Sequence, residues 1–138
     1  MKISVKDGSN YFRGMLLLIR QDRIIREPEI ELMKRIGKAL GFEKEFCVSA
    51  VQDVLDNPFI PEAPPEFSSQ EIAKRFIRDG LTLAIADEEV HALEEEWLKR
   101  VAESNGLDVN WFRHERESVV NRRERPPRLE VDDMTVEY

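Results

Sequence analysis

Two stretches, Asp22 to Gly41 and Asp87 to Gly106, follow one plan at a spacing of 65 positions. Each opens on an acid, continues as an amphipathic helical pattern and stops at a glycine. The same register pairs Arg13 with Arg78, Leu16 with Leu81, Leu18 with Leu83, Glu29 with Glu94, Glu31 with Glu96, Lys34 with Lys99 and Arg35 with Arg100. Helical periodicity alone aligns apolar residues by coincidence, but it does not align loop acids and stop glycines. The expectation is a single all-α domain, a helical bundle of about six helices built from two duplicated three-helix halves.

The pattern along the chain fills in that plan. Residues 1–9 read as a flexible lead-in, with Ser9 or Asn10 capping a first helix that runs to about Asp22. Its Phe12, Met15, Leu16 and Ile19 recur at helical spacing, and Leu17 and Leu18 widen that face. Pro28 suits the first turn of a second helix, which buries Ile30, Met33, Ile36 and Leu40 before Gly41. A third helix from about Glu43 to Leu55 would bury Phe46, Cys47, Ala50, Val51 and Val54.

Residues 57–67 hold four prolines and read as an extended crossover that Phe59, Ile60 and Phe67 pin to the bundle. Ser68 and Glu71 have capping-box spacing and open a fourth helix, whose Gly80 marks a close helix contact. The fifth helix, about His91 to Ser104, buries Leu93, Trp97, Leu98 and Val101. Asp108 caps a sixth that carries Trp111, Phe112, Val119 and Val120. The domain thus spans 10–121, with halves 10–56 and 68–121, and residues 122–138 read as a disordered basic-then-acidic tail.

Composition narrows the function classes. A formal net charge of −7 argues against nucleic acid, whose binding draws mostly on basic side chains. One cysteine, Cys47, excludes an internal disulfide and a cysteine-rich zinc site. The apolar run Met15 to Ile19 is too short to span a membrane, and the N-terminal residues lack signal-peptide character, so the expected setting is cytoplasmic.

The joint between the first two helices of each half carries the pattern A-D-x-x-[IV]-x-x-x-E. The second copy is Ala86, Asp87, Val90 and Glu94; the first is Asp22, Ile25 and Glu29, with Gln21 in place of the alanine. In this, and in its duplication, the chain resembles the TerB-like family of tellurite-resistance protein B and of the N-terminal region of a membrane-anchored J-domain co-chaperone. The resemblance covers residues 10–121 and implies the two-half helical fold and a role in stress response or chaperone assemblies. It departs where the family has a glycine after the aspartate: Arg23 and Glu88 stand there.

Asp22, Glu29, Asp87 and Glu94 are the candidate metal ligands, since converging halves would offer carboxylate oxygens to one hard divalent cation. The competing assignment is structural: Asp22 and Asp87 accept hydrogen bonds from N–H groups at the next helix start and favour its dipole. Glu88 and His91 form one E-x-x-H, where a di-iron bundle needs two, and His114 has no partner in sequence. Cys47 lacks a neighbouring base, and Trp97 and Trp111 occupy core positions. The chain therefore reads as a non-enzymatic interaction module with a protein partner of unknown identity, and alternatively as a divalent-metal-binding domain.

Overall fold

The computed structural model describes residues 1–21, 24–57, 59–86, 91–122 and 127–137. Six α-helices dominate it: α1 Val5–Arg20, α2 Glu27–Ala39, α3 Lys44–Asp56, α4 Gln70–Ala84, α5 Ala92–Ser104 and α6 Val109–Asn121. Two three-residue strands, β1 Lys2–Ser4 and β2 Thr135–Glu137, pair in parallel, and a short 3-10 turn, Glu130–Asp133, precedes β2. The all-α expectation holds.

The bounds of α2 and α5, 27–39 and 92–104, lie 65 positions apart at both ends, as do those of α3 and α6, 44–56 and 109–121. Gly41 and Gly106 both adopt positive φ, 89° and 73°. Each closes its helix with the same pair of bonds: Phe42 N–H to Gly37 C=O at 2.8 Å and Gly41 N–H to Lys38 C=O at 3.0 Å, matched by Leu107 N–H to Ala102 C=O at 2.9 Å and Gly106 N–H to Glu103 C=O at 3.1 Å. An L side chain is disfavoured in that left-handed conformation, which is why glycine stops both helices.

Helices α1 and α4 supply the most deeply buried faces. Tyr11, Met15, Leu17 and Leu18 of α1 and Phe76, Ile77, Leu81 and Leu83 of α4 are wholly enclosed. Helices α4 and α5 approach closely enough that a Cβ on Gly80 would stand 2.6 Å from Leu98 Cδ2. The expected close contact at Gly80 is therefore present.

Both ends of the chain differ from expectation. Residues 1–9 are not a lead-in: Ile3 is buried in β1, and α1 starts at Val5, capped by the Ser4 hydroxyl rather than by Ser9 or Asn10. The described part of the tail is folded as well. Leu129, Val131 and Met134 are buried, and β2 lies beside β1 with Ile3 opposite Val136. Three dispersed apolar residues among acids have no helical or alternating period, so their packing was not visible in pattern.

Smaller shifts have local causes. The fourth helix is capped by Ser69, whose hydroxyl accepts from Ile72 N–H at 3.2 Å, whereas Ser68 turns to Asp7. Phe46 and Leu93, expected in the core, are 52% and 59% exposed. Trp111 is half-buried, with Lys74 and Arg78 over its ring at 5.5 and 5.7 Å. Of the three residues expected to pin the crossover, Phe67 packs against Tyr11 and Phe76 while Phe59 stands 89% exposed.

Candidate functional site

Glu29 and Glu94 occupy matching places, the third position of α2 and of α5, and both are buried, 2% and 0% exposed. Glu29 Oε1 accepts the Arg26 backbone N–H at 3.1 Å and lies 3.7 Å from the Arg26 guanidinium, which assigns it a helix-start role. Asp22 and Asp87 lie outside the described residues. Of the four expected ligands the structure thus places two, each at a helix start. Among the described residues, no three or more His, Cys, Asp or Glu side chains gather as a metal site.

The remaining sequence candidates are also placed. His91 is the N-cap residue just before α5, while its E-x-x-H partner Glu88 lies outside the described residues. His114 is exposed on α6. Cys47 is buried against α2, where a Cβ on Gly37 would fall 2.2 Å from its Sγ; burial raises its thiol pKa, as suits a small core hydrophobe. Trp97 is fully buried, and its indole N–H donates to Glu62 C=O at 3.4 Å.

Among the described residues, three buried charged side chains escaped the sequence reading: Arg20, Asp79 and Asp7. Arg20, 1% exposed at the end of α1, donates to the carbonyls of Asn57 and Ile60, each at 3.0 Å, and to the Glu62 carboxylate at 2.7 Å. It fastens the start of the crossover. Asn105 fastens the other end, donating to Pro65 C=O and accepting Phe67 N–H, both at 2.9 Å.

Asp79 is the second. It lies 1% exposed on α4 and accepts from Tyr11 O–H at 2.6 Å, from Glu130 N–H at 2.6 Å and from Val131 N–H at 3.1 Å. Burial pushes its pKa up to about 7, outweighing those donors, and the neighbouring Glu130 charge adds to the rise. The Tyr11 phenol is raised well above its ordinary value, first by burial and then by Asp79 itself. Its position was a usable signal: Asp79 falls in the stripe Ile72, Phe76, Leu83, and an acid there must find donors.

Apolar side chains meanwhile remain outside. Besides Phe46, Phe59 and Leu93, Val48 is 46% exposed and Val109 38%. Phe46 stacks on Phe42 at 5.3 Å between centroids, extending an aromatic row that begins at Phe12. A cleft of ≈ 290 Å³ between α5 and α6 is lined by Ala92, Val109 and Phe112 with Glu95, Glu96, Lys99 and Arg113 around them. No helix among the described residues is long and apolar enough to cross a membrane. No protein family, curated protein or solved structure matches the chain. The TerB-like resemblance accordingly stands on the repeated residues alone.

Proposed function

We propose that the chain is a non-enzymatic, cytoplasmic interaction module made of two duplicated three-helix halves. The matching helix bounds and stop glycines support the duplication. One observation carries the binding role: buried charges are spent on the chain's own backbone while aromatic and aliphatic side chains point outward. Arg20 and Asp79 serve internal segments, whereas Phe59 and Phe46 stay in water. Apolar surface held outside a bundle that has buried so much else is what a protein partner would cover. The TerB-like resemblance adds stress response or chaperone assembly as the setting.

Photo-crosslinking in cells of the source organism tests this reading. A photoreactive residue replacing Phe46 or Phe59 should give discrete protein adducts, and one replacing exposed Gln52 should not. Equal, diffuse labelling at all three positions would sink the proposal.

The burial of Glu29 and Glu94 at matching helix starts favours a second reading, a divalent-cation site completed by Asp22 and Asp87. In an amide NMR titration of chelator-stripped protein with Ca²⁺, Mg²⁺, Mn²⁺ and Zn²⁺, saturable shifts centred on those four residues and lost in Asp87→Asn would support it. Binding at 100 times the dissociation constant would also add about 2.7 kcal/mol of stability. No response at millimolar ion removes this reading.

A further inference from the structure

The segment from Pro127 to Met134 lies across α2 and α4 in the manner of a bound peptide. Asp79 of α4 captures its backbone, taking Glu130 N–H at 2.6 Å and Val131 N–H at 3.1 Å. Arg35 of α2 donates to Pro127 C=O at 2.9 Å and pairs with the Asp132 carboxylate at 3.0 Å. Arg75 and Arg78 of α4 face Glu130 at 3.4 and 3.6 Å. Between these polar contacts Leu129, Val131 and Met134 insert, 1%, 0% and 5% exposed.

The division of labour matches peptide recognition. Main-chain groups are read by a fixed acceptor and a fixed donor, acidic side chains by arginines, and apolar side chains by pockets. Six helices precede this segment in the chain, and its 3-10 turn packs on both α4 and α2.

We propose that the surface of α2 and α4 beneath this segment is a peptide-docking cleft, that residues 127–134 are its displaceable resident, and that its external ligand is an extended acidic segment of another protein. Such a ligand carries apolar side chains at the spacing of Leu129, Val131 and Met134 and carboxylates at the places of Glu130 and Asp132. This deepens the interaction-module reading and rests on it for the identity of the ligand as protein. The site is distinct from the outward Phe46 and Phe59 surfaces, so failure at one does not imply failure at the other.

The test uses the full chain and, as probe, a fluorescent peptide covering Pro127 to Glu137, with anisotropy as the readout. Val131→Asp in the protein ejects the resident but leaves the cleft intact. It should keep its helical circular dichroism and cooperative unfolding, and bind the peptide at least tenfold more tightly than the wild type does. Adding Asp79→Asn to that variant removes an acceptor for the peptide backbone and should abolish the gain. A peptide with lysine in place of Glu130 and Asp132 should bind at least tenfold more weakly. Leu129→Ala, which loosens the resident without adding a charge, gives a milder version of the test, with a gain of at least threefold. The proposal is overturned if both protein variants lose cooperative unfolding, because the segment is then part of the folding core. It is equally overturned if either variant stays folded and binds the peptide no better than wild type.

Discussion

Arg20 shows how one side chain can fix the start of a connector. A Pro-rich crossover cannot bond to itself through helix or sheet, so its carbonyls need donors from elsewhere. The guanidinium, with donors in a fixed fork, reaches two of them and the Glu62 carboxylate at once. Arg20→Met keeps the stem's apolar bulk but strands the Asn57 and Ile60 carbonyls. The expected cost is about 2–4 kcal/mol, read as a fall in the urea midpoint. Backbone hydrogen exchange should also accelerate across residues 59–62, where the connector loses its anchor. An unchanged midpoint would show that water replaces the guanidinium without penalty.

At the scale of elements, the start of α4 separates two serines that sequence alone could not rank. Ser68 and Ser69 are both capping residues, and Glu71 favoured the first by spacing. The structure gives the cap to Ser69 and turns Ser68, through its N–H and hydroxyl, to Asp7 near the start of α1. The two serines should respond differently to the same substitution. Ser69→Asp preserves a capping oxygen and should stay within about 0.5 kcal/mol of wild type, while Ser69→Ala costs about 1 kcal/mol. Ser68→Asp would set a second carboxylate against Asp7 and should lower the melting temperature, by roughly 2–4 °C per kcal/mol for a chain of this size. The same contrast explains what was legible. Helix number, the Pro28 start and the Gly41 and Gly106 stops depend on local rules, and the structure follows them. Phe46 and Leu93 sit at helical core spacing, yet which side of an apolar stripe faces a neighbour is decided by packing between elements. Of the four proposed ligands, sequence spacing offered Asp22 and Asp87 as the helix-start acids, whereas the structure shows Glu29 accepting the Arg26 N–H there. The docked Leu129, Val131 and Met134 depend on contacts far along the chain, such as that of Val131 N–H with Asp79, 52 residues away, and no local period announces those.

Across the whole molecule, the two ends of the chain meet. Met1 C=O accepts Thr135 N–H at 2.8 Å, and the Met1 amino group donates to Asp133 C=O at 2.7 Å. This closure is linked to α1 and α4 through Asp79, so the ionisation of one buried carboxyl bears on the stability of the whole. Its pKa is raised from 3.8 to about 7 in the fold, so between those values the folded chain holds a proton that the unfolded chain has released. Stability from this group therefore falls as pH rises from about 4 to about 7 and is flat on either side. The slope approaches 1.4 kcal/mol per pH unit, on the order of one proton. Urea unfolding of wild type and Asp79→Asn at each pH isolates it, since the difference between the two cancels every other titration. That difference should shrink in favour of Asn across this window, whatever constant offset the lost acceptor introduces. A difference that grows in favour of Asp79 with rising pH would mean that the Tyr11, Glu130 and Val131 donors outweigh burial. In that case the closure of the chain ends would be strongest with the carboxylate charged.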